Sequence, residues 1–368
     1  MKNKRILLFL LLLVGGRMMA QGPITTAVPF LSVAPDARGS GLAGCGVASE
    51  ADMFSMYYNP AKYAFVANNT SIGICYSRWL IGHNNLFHAA ASQRIGKRSV
   101  IAASFRYNKE MGISYDNPFG FEVGSYTPHH FATDLAYAFQ LNNALSIAVA
   151  GRYIQSSVFS TDANTLNPYD RIKTGWSLAF DLGVFYNKPL DLGHIHAQYT
   201  FGTSISNVGN KIGYGKNDLW NNHFELFKTP IPTTLRIGTG LKMNLNEDHS
   251  LTGMIDFSKL LVPSSITYES YDESVFKGMI RSFYDAPGGF KEELYEINYG
   301  LGLEYAWKDR VYVRSGYFNQ PQLKGNRKYL AFGIGIKFDY FGLDASYNLS
   351  TTTIQNTDYL RIGTYFKL

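Results

Sequence analysis

Hydrophobic and polar residues alternate along several stretches of the chain, most clearly in its last ten residues. One face of this stretch carries Leu360, Ile362, Thr364, Phe366 and Leu368; the other carries Tyr359, Arg361, Gly363, Tyr365 and Lys367. Successive side chains of a strand point to opposite faces, so the pattern predicts a strand with one apolar face. Its length matches a tilted strand that crosses a membrane.

The same alternation recurs in residues 176–186, 235–243 and 330–338, where one face is apolar and the other carries charges and glycines. The pattern predicts an all-β transmembrane antiparallel barrel of about fourteen strands, an even number as in bacterial outer-membrane barrels. The strands are predicted near residues 71–80, 85–95, 99–108, 130–140, 144–155, 175–187, 194–206, 233–244, 249–260, 293–307, 310–319, 328–338, 341–350 and 358–368.

The connections between these predicted strands differ in length in a regular way. Those after even-numbered strands are short, whereas most of those after odd-numbered strands are long, namely 109–129, 156–174, 207–232 and 261–292. Barrels of the outer membrane have short periplasmic turns and longer external loops. The sequence therefore predicts that both termini lie on the periplasmic side.

The N-terminal twenty residues have the pattern of a secretory signal peptide. Lys2, Lys4 and Arg5 precede the apolar run 6–14, which is too short to span a bilayer, and Ala20 is a plausible cleavage site. We expect residues 1–20 to be the signal peptide, 21–70 a plug segment on the periplasmic side or in the lumen, and 71–368 the barrel.

Composition and charge agree with an exported barrel. Charged residues make up 17% of the chain and aromatic residues 15%; soluble domains have roughly 25% charged residues. Without the predicted signal peptide, which has four basic and no acidic residues, the formal net charge falls from +6 to +2. Nucleic-acid binding therefore has no support.

Several motifs suggest chemistry that their surroundings do not support. Residues 39–44 have the spacing G-x-G-x-x-G, but no βαβ unit surrounds them. Histidine pairs at 129–130 and 194/196 lack a further ligand cluster, and no catalytic spacing is present. We expect no enzyme activity, no catalytic residues, no metal site and no cofactor.

The two cysteines allow a structural hypothesis. Cys45 lies in the predicted plug, and Cys75 lies on the polar face of the first predicted strand. A disulfide between plug and wall would be compatible with the oxidising periplasm. The alternative is two small, unpaired side chains.

One short segment resembles a known family of barrels. The triplet Asn59, Pro60 and Ala61 resembles the hatch of FadL-like long-chain fatty-acid transporters. Asn before Pro favours a turn at this position. The longer stretches 27–39 (AVPFLSVAPDARG), 41–48 (GLAGCGVA) and 58–65 (YNPAKYAF) resemble the PorV family, barrels of the Bacteroidetes type IX secretion system. Cys45 stands where an acidic or small residue is expected.

This resemblance implies a FadL-like barrel of fourteen strands in the outer membrane of a Bacteroidetes-like bacterium. It implies a non-enzymatic protein that receives cargo with C-terminal signal domains from the translocon barrel. It further implies delivery of this cargo to a surface sortase-like peptidase, which attaches it to lipopolysaccharide. The partners would then be the translocon, the cargo signal domains, the peptidase and outer-membrane lipid.

Two functions remain open from the residues alone. The loop 261–292 is apolar for an exposed segment and predicts a partner-binding surface, although it would equally suit a loop folded over the barrel mouth. Its candidate residues are Pro263, Phe276, Met279, Ile280, Phe283 and Tyr284. The alternative is a FadL-type channel for hydrophobic small molecules. The charged side chains predicted for the lumen face do not favour it; they are Arg106, Arg152, Arg236, Lys242, Lys337 and Arg361.

Overall fold

A computed structural model describes residues 24–80, 84–116, 119–158, 174–216, 224–263, 273–352 and 359–368. The predicted signal peptide lies outside these residues. Within the described part of the chain, no helix combines the length and apolar character required to cross a membrane.

The main sheet is a closed barrel of fourteen antiparallel strands, which confirms the prediction. Two further hairpins, β4–β5 and β10–β11, form separate two-stranded sheets within long connections. The strands are β1 (Thr70–Trp79), β2 (Asn85–Arg94), β3 (Ser99–Lys109), β4 (Ile113–Asp116), β5 (Glu122–Tyr126), β6 (His129–Gln140), β7 (Leu145–Ser157), β8 (Gly175–Leu192), β9 (Ile195–Gly209), β10 (Ile212–Lys216), β11 (Phe224–Thr229), β12 (Thr234–Asn244), β13 (His249–Leu260), β14 (Ile297–Trp307), β15 (Val311–Asn319), β16 (Lys328–Lys337), β17 (Phe341–Ser350) and β18 (Tyr359–Lys367).

The alternation of apolar and polar residues in the sequence corresponds to the alternation of outward and inward side chains in the barrel wall. On β1, Ile72, Ile74 and Tyr76 are 45%, 45% and 48% exposed, whereas Cys75 and Ser77 are buried. The outward apolar residues form the surface that a bilayer covers, and the inward residues are small or polar. A slip of the register by one residue would turn every apolar side chain inward, so this pattern fixes the pairing of the strands.

The segment before β1 lies inside the barrel. It contains helix α1 (Ala37–Gly41) and short 3-10 helices at Pro29–Ser32, Ser55–Tyr57 and Pro60–Phe65. Helix α1 contacts β15 to β18, whereas the helix Pro60–Phe65 contacts β3 and β6 to β8 on the other side of the barrel. Most residues of this segment are buried. We call residues 24–69 the lumen segment.

The barrel has a short-turn end and a long-loop end. β1 and β18 meet at the short-turn end, where Thr70 and Leu368 exchange two backbone hydrogen bonds of 3.1 and 2.9 Å. Residues 24–27 instead lie at the long-loop end, where the Ala27 N–H donates to the Pro230 carbonyl at 2.9 Å. Residues 24–27 and Leu368 therefore lie at opposite ends of the barrel, because the lumen segment runs its length. The expectation that both termini are periplasmic stays a prediction, since residues 1–23 lie outside the described part of the chain.

The long connection between β13 and β14 contains two further helices. These are α2 (Val275–Arg281) and α3 (Phe290–Leu294), and a 3-10 helix at Gln322–Lys324 lies in the connection that follows β15. All three lie at the long-loop end.

Candidate functional site

The Asn59–Pro60–Ala61 turn is wedged against the barrel wall. The buried Asn59 amide donates to the carbonyls of Val47 at 3.2 Å and Val184 at 2.9 Å, and its oxygen accepts from the Ala61 N–H at 3.1 Å. The approach is so close that a Cβ atom on Gly183 of β8 would lie 2.3 Å from the Asn59 oxygen. The motif therefore joins two parts of the lumen segment to one strand.

Charged groups attach the lumen segment to the opposite wall. Arg38 of α1 pairs with Glu304 on β14 at 3.0 Å and with Asp52 at 3.3 Å. On β13, the Asp256 carboxylate accepts from the backbone N–H groups of Gly46 and Val47 at 2.7 and 2.9 Å. These contacts link the lumen segment to β13 and β14.

Ionisable groups within the lumen segment are also satisfied there. The Lys62 ammonium donates to the Gly46 carbonyl at 2.8 Å and to the Ser49 hydroxyl at 2.7 Å, and burial lowers its pKa. Asp36 accepts from the Tyr58 hydroxyl at 2.8 Å; burial, reinforced by the charge of Asp52, raises the pKa of Asp36 to about 6. The segment therefore has its own polar core.

The barrel wall near the Asn59–Pro60–Ala61 turn is lined by charged side chains. Asp134 on β6 pairs with Arg106 at 3.5 Å and with Arg152, and Arg152 pairs with Asp181 at 2.8 Å. Arg152 also donates to Asn207. All five side chains are buried. The prediction of arginines on the lumen face is confirmed for Arg106 and Arg152, and a path lined in this way is unsuited to a hydrocarbon.

The lumen segment leaves a cavity of about 450 Å³ on its long-loop side. Its lining reaches the connections at that end through Asn84, Glu110 and Gln320. A smaller cavity of about 160 Å³ lies toward the short-turn end, beside Arg38 and Lys367. Residues of the lumen segment thus line cavities toward both ends of the barrel.

Both cysteines are free and buried, which matches the alternative of two small, unpaired side chains rather than the disulfide. Cys45 packs with Leu42 and Met254, whereas Cys75 belongs to a different cluster with Met53 and Phe54. The two thiols face different parts of the wall, which explains why they do not pair.

We expect both thiols to be unreactive in the folded protein and both to react in denaturant without reductant. The reason is that Cys45 is 0% and Cys75 is 2% exposed, and a buried thiol is protected from alkylating reagents. Mass spectrometry after alkylation measures this. A peptide that contains both cysteines linked under non-reducing conditions would contradict the expectation.

Buried ion pairs hold the connection between β13 and β14 to the barrel. Lys259 at the end of β13 pairs with Glu293 at 3.1 Å and with Glu296 at 2.6 Å. Lys324 pairs with Glu296 and Glu292, both at 2.9 Å. Burial alone would lower the pKa of Lys324, but hydrogen bonds to these two glutamates raise it above its usual value. We call these five residues the ionic base.

The ionic base also accounts for the carboxylates that lie close together here. Asp285, Glu293 and Glu296 have oxygens near enough to share a cation. Glu293 and Glu296 are, however, already paired with the ammonium groups of Lys259 and Lys324. The cluster therefore holds the loop to the barrel, and its geometry gives no reason to invoke a metal.

Above the ionic base, the outward side of the same connection is apolar. Four of the six predicted partner-binding residues are exposed there, with Phe276 at 62% and Tyr284 at 69%. Phe290, at 79%, is more exposed still, and it was not among the predicted residues. We call the set the outer apolar surface; it comprises Phe276, Ile280, Phe283, Tyr284, Phe290, Leu294 and Tyr295.

The other two predicted residues have a supporting position. Met279 and Pro263 are partly buried. Gly278 of α2 faces Pro263, because a Cβ atom there would lie 3.5 Å from the proline ring. Phe276 lies two positions before Gly278 and Ile280 two positions after it. Two positions correspond to about 200° around a helix, so both side chains point away from Pro263 and the barrel. The predicted set therefore divides into an exposed part and a packed part.

Three residues of the surface were missed because their signal is short. Phe290 and Leu294 are four positions apart on the five-residue helix α3, and Tyr295 follows it. An i, i+4 apolar pair flanked by charged residues was the available signal. The ion pairs beneath them join residues about thirty positions apart and have no local signal.

Comparisons with known proteins agree with this architecture. Residues 17–267 match the family model described as "Type IX secretion system protein PorV". A comparison with curated proteins finds no match.

Solved structures with a similar fold are FadL-like channels. The monoaromatic hydrocarbon channel CymD has a TM-score of 0.51 at 13% identity, covering 91% of this chain and 97% of its own. The ΔS2S3 mutant of the monoaromatic hydrocarbon channel TodX has a TM-score of 0.51 at 10% identity, covering 90% and 98%. A FadL homologue of Pseudomonas aeruginosa has a TM-score of 0.44 at 11% identity, covering 94% and 99%. At these identities the likeness shows the fold alone.

Proposed function

The chain belongs to the PorV family and is an outer-membrane component of the type IX secretion system, and we propose that it acts as a docking protein for secreted cargo. It receives cargo with C-terminal signal domains from the translocon barrel and delivers it to the cell-surface attachment machinery. The observation that carries this proposal is the outer apolar surface, which is exposed yet held in place by the ionic base. An exposed apolar patch on a rigid support is typical of a binding surface.

The lumen supports docking over transport of hydrophobic molecules. Its wall carries buried ion pairs, and the lumen segment crosses it with hydrogen bonds to both sides. A hydrocarbon passing this region would strip water from charged groups without replacing their hydrogen bonds. The FadL-type channel is therefore the weaker alternative, although the fold is shared with such channels.

We further propose an orientation in the outer membrane. The long-loop end faces the exterior and the short-turn end faces the periplasm, because outer-membrane barrels have short periplasmic turns. Leu368 and the start of β1 then lie on the periplasmic side, and residues 24–27 lie near the outer mouth. This places the outer apolar surface where the translocon, the cargo signal domains, a sortase-like peptidase and lipopolysaccharide are accessible.

Purification of the tagged protein from native outer membranes in mild detergent tests the docking function. We expect it to co-purify with a large outer-membrane barrel, with cargo bearing C-terminal signal domains and with a surface peptidase. The physical reason is that an exposed apolar surface is stabilised by burial against a partner. Quantitative mass spectrometry against an untagged strain provides the measurement.

The same preparation separates the two functions. Co-purification of lipid or other hydrophobic small molecules in the lumen, without any protein partner, would overturn docking and support the channel. A matched comparison is a variant whose outer apolar surface is made polar, which should lose the protein partners.

A further inference from the structure

Two arginines on the 450 Å³ cavity at the long-loop end have guanidinium N–H groups without partners. Arg361 of β18 is 1% exposed; its Nε donates to the Ala34 carbonyl at 3.0 Å, but its buried Nη1 has no acceptor. The buried Nε of Arg327, just before β16, also has no acceptor. Among the described residues, no carboxylate forms an ion pair with either side chain.

Aromatic rings hold both guanidinium groups in place. Arg361 lies 4.6 Å from the ring centroid of Tyr359, and Arg327 lies 4.8 Å from that of Phe318. Phe318 in turn stacks on Tyr329 at 5.1 Å. These residues lie on or beside β15, β16 and β18, one region of the wall. The donors are therefore pre-oriented by stacking rather than by an acid.

The acidic side chains on the same cavity are already engaged. Glu110 accepts from His130 at 3.1 Å, and Glu296 pairs with Lys259 at 2.6 Å and Lys324 at 2.9 Å. Asp256 accepts two backbone N–H groups of the lumen segment through its Oδ2, whereas its buried Oδ1 has no partner; it forms no ion pair with Arg361 or Arg327. The guanidinium charges of Arg361 and Arg327 are thus available to a molecule that enters the cavity.

The cavity also has hydrogen-bond acceptors without donors. The side-chain oxygens of Asn108 and Asn298 line it, are buried and have no partner. Buried polar groups without partners are uncommon in native proteins and call for a bound molecule or water. A hydrocarbon could satisfy neither set of groups. A peptide offers N–H donors to the acceptors, carbonyls to the donors and, at its C terminus, a carboxylate to the arginines.

We propose that this cavity binds the C-terminal end of an extended polypeptide, with Arg361 and Arg327 holding the terminal carboxylate. The inference rests on the proposed docking function, which brings the C-terminal signal domain of cargo to this end of the barrel. A cavity of about 450 Å³ accepts a short chain end but excludes a folded domain. The outer apolar surface binds the folded partner, and the cavity binds the free C-terminal end of that partner.

The test compares two forms of one signal domain from a secreted cargo protein of the same organism. The domain is released from an intein fusion either as the free acid or as the C-terminal amide. Binding to the full-length processed protein in nanodiscs is measured by biolayer interferometry. We expect the amide to bind at least about tenfold more weakly, because charge-assisted hydrogen bonds to the carboxylate are lost.

Two variants and a control assign this difference to the cavity. Arg327→Gln and Arg361→Gln should each reduce the acid-to-amide ratio toward one. Arg327, whose side chain makes no hydrogen bond among the described residues, guards against a folding defect. Arg310→Gln, at an exposed arginine of the short-turn end, should keep the full ratio. Equal binding of acid and amide to the unaltered protein would overturn this inference alone. Absence of binding by both forms would overturn the docking function and this inference with it.

Discussion

Replacement of Phe276, Ile280, Phe283 and Tyr284 together by serine is expected to reduce recovery of type IX partners at least about tenfold. These side chains are exposed in the isolated protein, so their replacement costs the barrel little. In a complex, burial of each such side chain contributes roughly 1.5–3 kcal/mol, and loss of only part of the total exceeds a factor of ten. Quantitative mass spectrometry of the co-purified proteins measures the effect.

A matched control uses exposed apolar residues at the opposite end. Ile95, Leu141, Leu245 and Tyr340 lie in short turns and are comparably exposed. Their replacement by serine should leave partner recovery unchanged. If the two quadruple variants lose partners equally, or the first retains them fully, the outer apolar surface is not the docking site.

Asp134→Ala should be the most destabilising single substitution in the wall, lowering the free energy of unfolding by roughly 3–5 kcal/mol. Asp134 is buried between Arg106 and Arg152 and also accepts from the Ser104 hydroxyl. Its removal leaves Arg106 without its acidic partner inside the barrel. The measurement is the denaturant midpoint of the folded band on unheated gels.

The control for Asp134→Ala is an aspartate–arginine ion pair that is exposed to solvent. Asp339 pairs with Arg310 at 3.1 Å in a short turn, and both side chains are exposed. Asp339→Ala should cost no more than about 1 kcal/mol, since exposed pairs contribute little. Similar midpoints for both variants would show that the lumen ion pairs do not support the barrel.

The barrel could be predicted because its signal is local. Predicted and observed strands agree within a few residues; β17 has identical bounds, and β8 extends to Leu192 where the prediction ended at residue 187. Each wall strand must alternate between bilayer and lumen, so a short window of sequence carries the information. The hairpins β4–β5 and β10–β11 were missed because they are not part of the barrel wall and lack that constraint.

The path of the lumen segment could not be predicted in the same way. The segment has no periodic pattern, and its position depends on contacts such as Arg38 with Glu304, 266 residues apart. The sequence left open whether the two cysteines pair for the same reason, because two cysteines on compatible faces do not determine where an aperiodic segment places its thiol. At the outer apolar surface, the sequence identified exposed residues of α2 but not the ionic base that positions them.

The tight fit of the lumen segment constrains the order in which the protein assembles. Gly41 of α1 meets Gly333 of β16 so closely that a Cβ atom on Gly41 would lie 3.0 Å from the Gly333 Cα atom, and Asn59 is similarly close to β8. A segment in contact with opposite walls leaves no clearance for late threading through a finished ring. We therefore expect the sheet to close around the segment, with β1 and β18 pairing last. The segment would act as an internal template whose loss leaves an unclosed sheet rather than an open pore.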